Sequence, residues 1–94
     1  MRDRYPVVSA QVAARVVDDQ AVLVLADSGE VQILNEVGAV IWELVDGRHS
    51  VGEIADKVAA DFDVTQEEAF KDVREFLAKL ANAGAIDLVD RPTP

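Results

Sequence analysis

The chain has 94 residues, a formal net charge of −9 and no cysteine. A chain this short is expected to form one domain and to bury only about 60–65% of its unfolded surface, which leaves little room for a deep active-site cavity. The missing cysteines exclude a disulfide framework and a thiolate metal site and point to a reducing, cytoplasmic compartment, while the acidic balance argues against nucleic acid and anionic membranes as partners.

No apolar run reaches the roughly 18 residues of a membrane span, and Met1 to Pro6 lacks the apolar core of a signal peptide, so a soluble, unprocessed protein is expected. A single domain over residues 1–94, with an ordered core of about 8–89, is the simplest organisation; no linker, internal repeat or low-complexity tract interrupts it.

In chain order, Val12 to Val17 and Ala21 to Ala26 are rich in β-branched residues, with Asp18-Asp19-Gln20 and Asp27-Ser28-Gly29 supplying turns. A third strand is expected over about Glu30 to Leu34, with Val31 and Ile33 on one face and Gln32 and Leu34 on the other. After Asn35 the period becomes helical. Asn35 reads as an N-cap, Val37, Val40, Ile41, Leu44 and Val45 as a buried stripe, and Gly47 as a left-handed stop, which predicts a first helix over about Glu36 to Asp46. Ser50-Val51-Gly52-Glu53 is a capping box and opens a second helix; Thr65-Gln66-Glu67-Glu68 is another and opens a third that runs to Gly84. Ala85 to Val89 reads as a short final strand.

The order predicts an α+β fold of the winged helix-turn-helix kind, a three-stranded antiparallel sheet followed by three α-helices. Such a fold raises the question of DNA, and the third helix answers against it. Between Thr65 and Ala83 it carries three cations (Lys71, Arg74, Lys79) against four anions (Glu67, Glu68, Asp72, Glu75), with no cluster of base-reading Asn or Gln at its start.

Catalytic chemistry finds no set of residues either. His49 is the only histidine and reads as a solvated turn residue; Ser50 and Thr65 are caps without a base; Asp61 and Asp63 sit in a loop too short for a calcium-binding hand. Trp42 reads as a helix-packing residue. No metal, no cofactor and no enzymatic activity are expected.

Three matches in order carry a resemblance. Leu34-Asn35-Glu36-x-Gly38-x-x-Ile41-Trp42-x-Leu44-x-Asp46-Gly47, then Ser50-Val51-x-Glu53-Ile54, then Asp72-Val73-x-x-Phe76-Leu77-x-x-Leu80-x-x-x-Gly84-x-Ile86 resemble the PqqD family over nearly all of the chain after Val12. The resemblance implies a recognition element for ribosomally synthesised, post-translationally modified peptides. Such a domain binds the leader of a precursor peptide and presents it to a separate maturation enzyme, of the radical type or a leader peptidase. It further implies that the leader joins the exposed edge of the third strand and lies between that strand and the third helix. The second and third strands lack the polar, Tyr- and Gly-containing character associated with pyrroloquinoline quinone members, and the Asp27-Ser28-Gly29 turn is similar to that of lasso-peptide leader-binding subunits; the product class stays open.

Peptide-binding candidates follow from that geometry: Val31, Gln32, Ile33 and Leu34 on the strand, and the flanks of the third helix. Helical pitch places Phe70, Val73, Leu77 and Leu80 centrally on the buried face, with Asp72, Phe76 and Lys79 on one flank and Lys71, Arg74 and Ala78 on the other. The Asp72 side is favoured because it falls within the family match and Phe76 can accept an apolar leader residue; alternatively Asp72 merely balances Lys71 and Arg74. Edge strands are also commonly covered by a terminus, here Tyr5 to Ala10, or by a second subunit in a homodimer. A winged-helix DNA-binding regulator and a structural or dimerising subunit of a larger enzyme are the alternative functions.

Overall fold

The computed structural model describes residues 2–18, 20–26 and 28–92. Along the chain lie β1 (Tyr5–Val8), β2 (Val12–Val17), β3 (Gln20–Leu25), β4 (Val31–Leu34), α1 (Glu36–Glu43), α2 (Val51–Phe62), α3 (Gln66–Asn82) and β5 (Ile86–Val89). The expected three-stranded antiparallel sheet forms from β2, β3 and β4, in that order, ahead of three helices.

Side-chain alternation decides which face of this sheet is inside. Ala21, Leu23 and Leu25 of β3 are buried, together with Leu34 of β4, and pack on α1 and the helical core. The opposite face presents Val22 and Val24 of β3, with Ala13 and Arg15 opposite them on β2 and Val31 and Ile33 opposite them on β4. That outer face is therefore largely apolar.

The pairing phase follows from two bonds at the ends of the ladders. Ala26 donates to the Gln11 carbonyl at 2.8 Å, and Leu25 donates to the Glu30 carbonyl at 2.9 Å. Because hydrogen-bonded and non-bonded pairs alternate along an antiparallel ladder, β3 turns Leu23 and Ala21 toward Gln32 and Leu34 and turns Val24 and Val22 toward Ala13 and Arg15. The amides and carbonyls of Val31 and Ile33 on β4, and of Ala14 and Val16 on β2, consequently point away from the sheet, toward its two open edges.

A second, two-stranded sheet joins β1 to β5 antiparallel, from Tyr5 opposite Val89 to Val8 opposite Ile86. Tyr5–Val8 thus pairs with β5 instead of covering the edge of β4, and strand structure begins ahead of the expected start of the core at about residue 8. This pairing also shortens α1. The helix ends at Glu43, three residues before the expected Asp46, because Asp46 forms a bridge with Val7 and the Gly47 amide donates to the Pro6 carbonyl at 2.9 Å. Gly47 supplies the expected left-handed turn, with φ of 78°.

The helix starts obey local rules. Asn35 Oδ1 accepts the Gly38 amide at 2.9 Å, and the Ser50–Glu53 box is complete, with Glu53 donating to Ser50 Oγ at 3.1 Å and the Ser50 amide donating to Glu53 Oε1 at 2.9 Å. The two remaining free amides at the start of α2 are met by the N-terminal arm: Val51 donates to the Arg4 carbonyl at 2.9 Å and Gly52 to the Arg2 carbonyl at 3.1 Å. All four donors that a helix start leaves open are thereby satisfied. At α3, Thr65 Oγ1 accepts the Glu68 amide at 3.1 Å, and only this half of the expected box appears among the described hydrogen bonds.

Hydrogen bonds from the Ser50 amide, and then from its side chain, hold the Glu53 carboxyl below its usual range. Asp46 is also lowered: partial burial pushes it up, but the Arg48 amide, the His49 ring and the His49 amide together outweigh that effect. His49 accordingly sits half-exposed in the turn, with Nδ1 2.9 Å from Asp46 Oδ2. Trp42 is buried in the core, as expected.

Candidate functional site

The β4 edge ends beside a cavity of about 420 Å³, lined by Ile33, Leu34 and Asn35 at the end of the strand, Val37, Gly38 and Ile41 on α1, and Asp72 and Phe76 on α3. Each element reaches it for a local reason. Asn35 caps α1, which turns the chain through the strand-helix corner and places Gly38, one turn in, against the strand it has just left. A Cβ on Gly38 would stand 3.1 Å from Leu34 Cβ and 3.5 Å from Phe76 Cζ, so hydrogen at this position is what lets strand and helix leave a groove between them. On α3, burial of Ala69, Val73, Leu77 and Leu80 fixes the helix's rotation and turns Asp72 and Phe76 toward the groove.

Of the nine residues considered from sequence, Ile33, Leu34, Asp72 and Phe76 meet here. Val31 and Gln32 belong to the same strand but do not line the cavity, and Val31 is 57% exposed on the outer face of the sheet. On the strand side the cavity is lined by Ile33 and Leu34, the last two residues of β4. Lys79 lies on the favoured flank yet outside the lining, and Lys71 and Arg74 are on the other flank. The Arg74 guanidinium sits 5.8 Å from the Phe70 ring centre, which Arg2 approaches to 4.9 Å. Asn35, Val37, Gly38 and Ile41 also line the cavity and are not among the residues considered from sequence; the Asn35-x-x-Gly38 spacing, a cap followed by a glycine at the strand-helix corner, is the available signal.

The groove is chemically simple. Its floor and walls are apolar apart from Asn35, whose Oδ1 is engaged by the cap, and Asp72, which is exposed and makes no ion pair or side-chain hydrogen bond among the described residues. Groups of three or more His, Cys, Asp or Glu able to hold a metal are absent among the described residues. Also among these, no helix is long and apolar enough to cross a membrane.

A winged-helix module with an open strand edge beside an apolar groove is the class that these features define. Residues 20–86 match the family described as Coenzyme PQQ synthesis protein D (PqqD), and the chain belongs to that family. It is 39% identical over 67 residues, 71% of this chain and 69% of its relative, to the PqqA binding protein of Methylococcus capsulatus (strain ATCC 33009 / NCIMB 11132 / Bath). Two solved structures are similar in fold. TbiB1 in complex with the TbiA(beta) leader peptide aligns with a TM-score of 0.80 at 31% identity, over 86% of this chain and 94% of that one. A lasso peptide synthetase B1 complexed with the leader peptide aligns with a TM-score of 0.76 at 25% identity, over 87% and 96%.

Proposed function

We propose that the protein binds the leader segment of a ribosomally synthesised precursor peptide by strand addition to β4 and presents it, without catalysis of its own, to a separate maturation enzyme. The observation that carries this reading is the outward-facing backbone of Val31 and Ile33 next to the groove bounded by Gly38, Asp72 and Phe76. Relatives of similar fold are described with leader peptides, which supports the same assignment.

The energetics divide the work between edge and groove. Val31 and Ile33 offer two amides and two carbonyls, and hydrogen bonds contribute about 1 kcal/mol each. A micromolar complex needs about 8 kcal/mol beyond the cost of ordering the peptide. Backbone pairing therefore supplies register and direction, and apolar burial must supply much of the rest, at about 1.5–3 kcal/mol for a Leu-sized side chain. In an added strand, alternate side chains point to the core side, the side of Gln32 and Leu34, and those enter the groove; the others extend the outer face that Val22, Val24, Val31 and Ile33 already make apolar. That face, continuous with the bound leader, is where the enzyme would receive the complex.

Calorimetric titration with the leader of a cognate precursor peptide tests the reading. Micromolar or tighter binding to the leader, and none to duplex DNA at physiological salt, is expected; comparable affinity for random DNA would contradict it.

A further inference from the structure

The sheet has a second open edge. β2 pairs with β3 in unbroken register from Val12 opposite Leu25 to Val17 opposite Gln20, and it contains neither proline nor bulge. Its backbone groups at Ala14 and Val16 point outward, and Val16 and Val17 are 47% and 54% exposed. Edge strands of monomeric proteins are ordinarily guarded by prolines, bulges or charges on the open side. The one charge on the strand itself, Arg15, belongs to the outer face, so no side chain of β2 guards the core side of the edge, Val12, Ala14 and Val16.

Beside that edge lies a cavity of about 190 Å³ between β2 and the outer side of α1. Val16, Ala39 and Val40 make it apolar, while Asp18, Glu36 and Glu43 bring three carboxylates to it. None of the three has an ion-pair partner among the described residues. A strand added to β2 would direct alternate side chains into this cavity. Lysine or arginine suits it, with the methylene stem on the valines and the cation among the carboxylates.

We propose that the β2 edge is a second strand-addition site, which takes an extended, lysine- or arginine-bearing segment of a second protein. A second copy of this chain fits poorly. In antiparallel pairing of β2 with itself the only cation, Arg15, falls on the outer face, away from the carboxylates, and two chains of net charge −9 are brought together. The site is separated from β4 by the width of the sheet, so both edges can be occupied at once.

The test uses ¹⁵N amide spectra of the full chain titrated with a capped octapeptide of alternating valine and lysine, and with its valine-glutamate counterpart. The lysine peptide is expected to shift the amides of Ala14, Val16, Glu36, Val40 and Glu43, and the glutamate peptide to leave them in place. Ala14→Pro should abolish those shifts; Glu36→Gln with Glu43→Gln should weaken them roughly five-fold. Shifts spread over the acidic surface without this focus, shifts at β4 alone, or equal binding of the glutamate peptide would overturn the proposal. The double glutamine variant touches no backbone bond and decides the matter should Ala14→Pro unfold. Because the readout is at β2 and α1, loss of leader binding at β4 leaves the result interpretable.

Discussion

Gly38 on α1 and Phe76 on α3 face each other across the groove, so close that a methyl group on the glycine would stand 3.5 Å from the ring. Gly38→Ala therefore fills the floor at the point where strand, first helix and third helix converge. In a helix the exchange gains about 0.5–1 kcal/mol, which offsets the tight 3.1 Å approach to Leu34 Cβ, so folding stability should change by less than about 1 kcal/mol. Leader affinity should fall, about five-fold or more, and Gly38→Val should weaken it further. Denaturant melts paired with calorimetry check both halves; unchanged affinity would mean that no leader side chain reaches the floor.

Asp72 separates a groove role from charge balancing. It is exposed and without an ion pair among the described residues, so Asp72→Ala should alter stability by no more than about 0.5 kcal/mol. If it accepts a hydrogen bond from a leader side chain, its removal costs about 1–3 kcal/mol, roughly five- to hundred-fold in Kd. Lys71→Ala with Arg74→Ala, on the flank outside the cavity, should bind the leader like wild type. The reverse pattern would move the second wall of the groove to the other side of α3.

Glu53 predicts a pH effect of known sign. Its carboxyl is lowered in the folded state, so the stabilisation it gives is fully present above the unfolded value of about 4.3 and is lost as the pH falls through the lower folded value. Glu53→Gln keeps an acceptor for the Ser50 amide but does not titrate. Between about pH 6 and about pH 3 wild type should lose stability relative to Glu53→Gln. Denaturation curves that run parallel over this range would contradict the role given to the capping box.

The parts of the fold that could be read from sequence are those whose causes are local. Asn35, Ser50 with Glu53, and Thr65 announce helix starts within four residues, and the β-branched runs between turn residues announce β2 and β3. β1 is not legible in the sequence, although Ala85 to Val89 reads as a strand, because its partner lies some eighty residues away and nothing within Tyr5 to Val8 announces the pairing. The same long-range pairing takes Asp46 and Gly47 out of α1, against an apolar period that continues through Leu44 and Val45. On β4 both alternate sets hold apolar residues, so composition could not say that Leu34 turns inward while Val31 and Ile33 turn out; only the register with β3 decides it. Gly38 and Ile41 were hidden in the site for a related reason, since a small residue and a core residue on a helix give no sign of the space between them.

Strand addition at β4 is tested most directly by two neighbouring prolines. The Ile33 amide faces the open edge, whereas the Gln32 amide faces Leu23 of β3. Proline is tolerated where no ladder bond is lost and costs about 1–3 kcal/mol where a buried carbonyl is left unpaired. Measured by leader titration alongside denaturant unfolding, Ile33→Pro should keep near-native stability and lose leader binding, while Gln32→Pro should be destabilised. A folded Ile33→Pro variant that binds the leader with wild-type affinity would contradict the account.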